Sequence, residues 1–329
     1  MKAFVAAVTT LFVLAVLIGL QTAKVSAMEE IESILQHAEE LFASGQHEAA
    51  RELLEPLADE NAEAAFSLGY GYFQLDDLKP AIEWLEKAVE LDETVSKYHY
   101  WLGNAYGSKA QNSSIFKAPG YAKKTKKQFE LAVAADSTNL NARFALMQFH
   151  LQAPGIIGGS DKEAAHQLAE IKKIDTAWGY IAEAVTHRSN EDNDAAVQAY
   201  QAAIAAQPDS LNFQYMLAYM YQELEKPDEA YELLEGLLER HPEETNALYQ
   251  IGRTGAITGQ GLDKARPALQ QYLLIETDSN RPSHDWAHFR LGNVFEHEGA
   301  VDSARVHYEM TLQLNPDHKE AKKALKNLK

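Results

Sequence analysis

The stretch FHLQAPGIIGGSDKEAAHQLAEI, Phe149 to Ile171, sets glycines in a short loop that opens a helix. Backbone amides in such a loop can cradle a phosphate. A P-loop also needs a preceding strand and a Gly-Lys-Ser/Thr ending, and a dinucleotide site needs a βαβ unit. Neither surrounds this stretch, so it reads as a lengthened turn. In SHDWAH, His284 and His288 stand four apart and would offer a metal two nitrogens if they faced one way. Asp285 occupies the place of the usual Glu, and no third ligand is evident. The remaining histidines are scattered, without a serine or aspartate at a spacing that supports a nucleophile. Paired carboxylates abound, but on solvated helices they carry no specificity. No catalytic residue, metal or cofactor is therefore expected, and the chain reads as something other than an enzyme.

Composition narrows the class further. MKAFVAAVTTLFVLAVLIGLQTAKVSA has a basic start at Lys2, an apolar or small run from Ala3 to Leu20, and a polar tail ending Val25-Ser26-Ala27. This is the pattern of a cleaved export signal, residues 1–27. The chain has no cysteine, hence no disulfide framework, and its length supplies a core without one. The expected setting is a bacterial periplasm or the exterior, with no membrane insertion once the signal is removed. The formal charge of −18 becomes more negative by two when Lys2 and Lys24 leave. A chain so acidic is expected to avoid nucleic acid and an anionic lipid surface.

What positions any site here is a repeat. AAFSLGYGYFQLDDLKPAIEWLEKAVELDE, NFQYMLAYMYQELEKPDEAYELLEGLLERHPEE and WAHFRLGNVFEHEGAVDSARVHYEMTLQLNPDH share one skeleton. A large apolar residue precedes a small one at Leu68-Gly69, Leu217-Ala218 and Leu291-Gly292, and an aromatic follows at Tyr72, Tyr221 and Phe295. Ala81, Ala230 and Ala304 come next, then Leu85, Leu234 and Tyr308. Small residues at matched places let two helix backbones approach, and Pro208, Pro242 and Pro316 stop the second helix. The pattern resembles the tetratricopeptide repeat, two antiparallel helices in about 34 residues.

The resemblance implies an all-α, right-handed superhelical solenoid of about eight helix pairs over residues 28–317. The units begin near Glu30, Ala62, Ser96, Leu140, Ala177, Leu211, Thr245 and Asp285. A polar, lysine-rich segment over 318–329 reads as the capping helix that such an array requires.

Two turns within units are enlarged, over 107–121 and 153–160, and both contain Ala-Pro-Gly. Stacked hairpins are expected to set them side by side. Lys109, Lys117, Lys123 and Lys124, with Lys126 and Lys127, stand in a stretch from Gly107 to Gln128 that has no acidic residue. With Gly158, Gly159 and a capping Ser160 they form an alternative site, for a small anionic ligand or a reaction.

The main expectation is a groove. The resemblance places one side of each first helix on a concave surface. There stand Phe66, Tyr100, Phe144, Ile181, Tyr215, Tyr249 and Phe289. One turn on come Tyr70, Asn104, Gln148, Val185, Tyr219, Arg253 and Asn293, and three residues before come Glu63, Lys97, Asn141, Trp178, Asn212, Asn246 and Trp286. Carboxamides bond a peptide backbone without reading its sequence, and aromatics add flat apolar contact at low entropic cost. The expected partner is an extended protein segment. Only Lys97 and Arg253 are counted as basic on this face, so a clamp for a terminal carboxylate is not evident.

Overall fold

A computed structural model describes residues 28–276 and 281–328, so the expected signal over 1–27 lies outside the described residues. Helices occupy nearly all of it, and no strand occurs among the described residues. The chain divides into two compact units, 1–142 and 143–329. The first holds α1 (residues 28–43), α2 (His47–Ala58), α3 (Ala62–Gln74), α4 (Leu78–Leu91), α5 (Ser96–Gln111) and α6 (Ala118–Ala135). The boundary falls in the first turn of α7 (Leu140–Gln152), which pairs with α8 (Asp161–Ile174). Then follow α9 (Thr176–Ser189) with α10 (Asn193–Ala206), and α11 (Leu211–Glu223) with α12 (Pro227–Arg240). The last pairs are α13 (Asn246–Thr258) with α14 (Leu262–Tyr272), and α15 (His284–His297) with α16 (Val301–Leu314), before α17 (Lys319–Asn327). Each unit is a helical-repeat solenoid, the all-α class that the periodicity predicts.

The repeat skeleton does the packing expected of it. Ala81, Ala230 and Ala304 are fully buried where the second helix meets the first. A side-chain carbon added at Gly252 of α13 would stand 2.1 Å from Leu269 Cγ of α14, so only hydrogen fits there. Tyr72 and Tyr221 reach back to the preceding hairpin: Arg51 of α2 donates to the Tyr72 hydroxyl at 3.3 Å, and Gln201 of α10 to the Tyr221 hydroxyl at 3.1 Å. Pro208, Pro242 and Pro316 each follow the last residue of a second helix by two.

Five of the turns within pairs share one device. A left-handed residue follows the first helix, glycine at Gly45 and Gly299 but Asp76 (φ 56°), Glu191 (φ 61°) and Glu225 (φ 53°) elsewhere. Each helix is thus ended by backbone geometry rather than by its side chains.

In the last pair, His288 and His307 meet with 3.0 Å between their Nδ1 atoms, and the His307 ring stacks on Phe295 at 5.3 Å. Burial, then the neighbouring histidine, lowers the His307 pKa to about 4; burial, then His284, lowers that of His288. Both are bases whose folded pKa lies below the unfolded value. Their neutral pairing stabilises fully above about pH 6.5 and is lost as pH falls toward 4. After allowance for solvent screening the loss is on the order of 1 kcal/mol. The melting temperature is therefore expected to fall by about 2–4 °C between pH 7 and pH 5, and His307→Gln is expected to flatten that dependence. Thermal melts of both proteins across this range check it.

A candidate binding groove on the first helices

In the second unit, α7, α9, α11 and α13 bring their predicted side chains around one cavity of about 350 Å³. Its walls are Phe144, Gln148, Val185, Tyr219 and Arg253, together with Arg188, Tyr200, Met216 and Glu223. The lining combines apolar side chains, a carboxamide and charged groups. Tyr219 is exposed, and the Arg253 guanidinium lies 5.2 Å from its ring centre. Arg253 also donates to the Oε1 of Gln222. Gln222 is itself held, donating to Thr254 Oγ1 at 2.9 Å and to the Gln250 carbonyl at 3.2 Å. The arginine is therefore fixed by a buried network before any ligand arrives.

Charge is uneven here. Arg188 donates to Glu223 at 2.6 Å, which accounts for that carboxylate. Arg253 bonds a neutral amide. Arg290, on α15, packs over the rings of Phe289 (5.4 Å) and Trp286 (5.6 Å), and its Nε is buried without a hydrogen-bond partner. Burial, then repulsion from Arg290, pushes the Arg253 pKa below the usual arginine range. Arginine keeps its charge under such a shift, so positive charge is in excess here. Lys97 and Arg253 are thus not the only basic groups near the first helices: Arg188 lines the cavity and Arg290 acts on Arg253. Arg188 lies one turn beyond Val185, and extending the series by a turn would have found it. Arg290 was hidden because it is adjacent in sequence to a core residue, Phe289.

Other predicted residues divide between groove and core. Tyr215 donates to Glu244 at 2.8 Å; burial first, then that carboxylate, holds its phenol protonated. Trp178 packs edge-on against Phe144 and Phe213 at 5.6 and 5.7 Å. Asn212 is exposed; Asn246, Asn293 and Trp286 are half-buried, and Asn293 donates to the Tyr308 hydroxyl at 2.8 Å. Tyr249 and Phe289 do not face a ligand. They are 5% and 7% exposed and pack on Tyr272 and Tyr308, because the fifth position of these helices turns toward the hairpin partner.

The first unit has its own aromatic patch. Phe66 stacks on Tyr70 and on Tyr98, and Trp101, which the sequence reading passed over, meets Tyr70 at 4.6 Å and Tyr100 at 5.2 Å. Lys97 is paired with Glu63 at 2.6 Å. Asn104, on the same helix as Tyr100, has a buried Nδ2 without a hydrogen-bond partner among the described residues. Asn141 is exposed at the start of α7.

The glycine loop of the alternative site offers no amide cradle. The loop after α7 is closed on itself: Gly158 N donates to Gly155 O (3.0 Å), Gly159 N to Pro154 O (3.2 Å) and Ser160 N to His150 O (3.0 Å). A side-chain carbon at Gly159 would fall 1.7 Å from the Ala153 carbonyl, so this glycine serves close backbone packing. Ser160 caps α8 by accepting from Glu163 N at 3.3 Å. No amide of Gly158, Gly159 or Ser160 is left to hold an anion. Lys109, Lys117, Lys123 and Lys124 belong to the other compact unit. His284 and His288 are engaged apart from each other, His284 Nε2 with the Ile275 carbonyl at 2.8 Å and His288 with His307.

Comparison with known proteins agrees with this architecture. Two segments, 60–109 and 187–251, match family descriptions of the tetratricopeptide repeat. A relative from Bacillus subtilis, the TPR repeat-containing protein YpiA, is 26% identical over 245 residues, 73% of this chain. The chain spans about half the length of that relative, 54%. Among solved structures, a human IFIT1 dimer with PPP-AAAA superposes with a TM-score of 0.54 at 15% identity, over 92% of this chain and 76% of that one. A TPR protein of Thermus thermophilus, TTC0263, gives a TM-score of 0.47 at 20% identity, over 57% of this chain and 97% of that one.

Proposed function

We propose that this tetratricopeptide-repeat protein is a non-enzymatic scaffold that binds an extended segment of a partner protein on its first helices. The carrying observation is the cavity around Tyr219, where an aromatic face, the Gln148 carboxamide and a fixed Arg253 with no ion pair among the described residues converge. Aromatic and carboxamide groups suit a polypeptide backbone, and the excess guanidinium favours an acidic side chain within the segment. The basic start and apolar run of residues 1–27 support a place for the protein in the bacterial envelope.

A photo-crosslinking residue at Tyr219 tests the reading in the native host. It is expected to capture a protein, whereas the same residue at Glu232, on the second helix α12, is expected to capture none. Capture of nucleic acid alone at 219, or equal capture at both positions, would sink the proposal.

A further inference from the structure

The turn joining α5 to α6 contributes nothing to the groove described above. It is shorter than the 107–121 insertion read from sequence, because α5 runs on to Gln111 and α6 starts at Ala118, with Pro119 in its first turn. The Ser114 carbonyl accepts from the amides of Lys117 and Ala118, both at 2.9 Å. Ile115 and Phe116 are therefore the central residues of a closed turn. Such positions favour Gly, Asn, Asp, Pro or Ser. Here two large apolar side chains stand 80% and 89% exposed, so neither turn geometry nor packing explains them.

The base beneath the tip is fixed. Tyr121 lies 6.2 Å from the Tyr106 ring and packs on the cluster of Leu85 and Leu102. Ser113 Oγ donates to the Lys109 carbonyl at 2.6 Å. Lysines predominate in this stretch, which has no acidic residue from Gly107 to Gln128. Lys124 meets Glu86 at 3.7 Å and Lys126 meets Glu130 at 3.5 Å. Lys109, Lys117, Lys123 and Lys127 have no ion pair among the described residues.

We propose that this turn docks the protein on an anionic lipid surface, with Phe116 and Ile115 entering the boundary between headgroups and acyl chains and the unpaired lysines meeting lipid phosphates. Neither signal is sufficient alone; an apolar wedge with a polybasic patch is the combination that gives stable attachment. A protein partner fits less well, because a specific protein interface buries about 800 Å² on each side. Two side chains on a turn fall short of that, whereas a bilayer admits single residues.

The chain has no cysteine, so Ser114→Cys places one environment-sensitive fluorophore beside the tip in the full-length protein. Emission is expected to rise and shift to the blue with phosphatidylcholine vesicles containing phosphatidylglycerol, and to stay unchanged with phosphatidylcholine alone. Phe116→Ser is expected to weaken the response about tenfold, and glutamine at Lys109, Lys117, Lys123 and Lys127 about fivefold for each. Because the label reports the tip itself, attachment through the apolar N-terminal run leaves it silent. Unchanged circular dichroism and melting show that the variants fold. No shift with anionic vesicles, an equal shift with neutral ones, or a shift of the same size with polyglutamate would overturn the proposal, the last by pointing to an acidic protein.

Discussion

Arg253→Gln is expected to lower affinity for the partner segment by about 10–100-fold while leaving the free protein as stable as before or slightly more so. The two effects separate because the arginine is costly to the unliganded fold. It is partly buried, bonds a neutral glutamine, stacks on Tyr219 and is repelled by Arg290. Removing it leaves Gln222 Nε2 still bonded to Thr254 and Gln250, and the amide of the new glutamine can donate to Gln222 Oε1 in place of the guanidinium. Replacing one of two neighbouring like charges relieves their mutual repulsion. A ligand carboxylate, by contrast, would lose a charge-assisted bond from a positioned guanidinium, about 1.5–3 kcal/mol. Titration of the segment recovered by crosslinking, beside a thermal melt, checks both halves. Arg253→Lys is expected to restore the affinity only in part, because an ammonium cannot stack and bond in the same plane. If affinity and melting temperature fell together, the residue would be structural and the groove assignment would be lost.

Gly252→Val is expected to destabilise the second unit by about 2–3 kcal/mol, a fall of about 5–10 °C in melting temperature. The added carbon would meet Leu269 at 2.1 Å from Cγ and 2.6 Å from Cδ2, inside a core cluster where Ala265, Leu269 and Tyr272 are fully buried. Valine has few χ1 choices in a helix, so the clash must be relieved by separating α13 from α14. Gly236→Ala in α12 is the control. Its new carbon would find only Arg240 Nη1, at 3.5 Å. That change is expected to stabilise by about 0.5–1 kcal/mol, since glycine weakens a helix interior. Thermal unfolding of both variants reads the difference directly.

The fold was legible because its determinants recur. One small residue or one proline means little, but Gly69, Ala218 and Gly292 stand at the same place in similar strings, and periodicity averages out local noise. The site was legible only in part. Helical spacing gives the side of a helix, yet the angle separating a groove from a hairpin core is smaller than the step between neighbouring residues. Tyr249 and Phe289 therefore looked like groove aromatics and are buried at 5% and 7% exposure. Arg290 shows the converse error: one position beyond Phe289, it lies over the rings of Phe289 and Trp286. The extent of the enlarged turn was misjudged for another reason. Lys109, Ala110 and Gln111 are good helix formers and prolong α5. Hydrogen bonding within the loop after α7, which removes it from ligand binding, has no signature in residue types alone.

The stacking of hairpins also bears on how the chain is assembled and taken apart. The side-chain hydrogen bond from Asn139 to Ser96 spans 43 positions, little more than one repeat, and that from Arg188 to Glu223 spans 35. Contacts so local spare the polymer the entropy of closing long loops, so nucleation can begin at any hairpin and spread by zipping. Under mechanical tension from one end, such an array peels away in hairpin-sized steps, each releasing its own short length of slack.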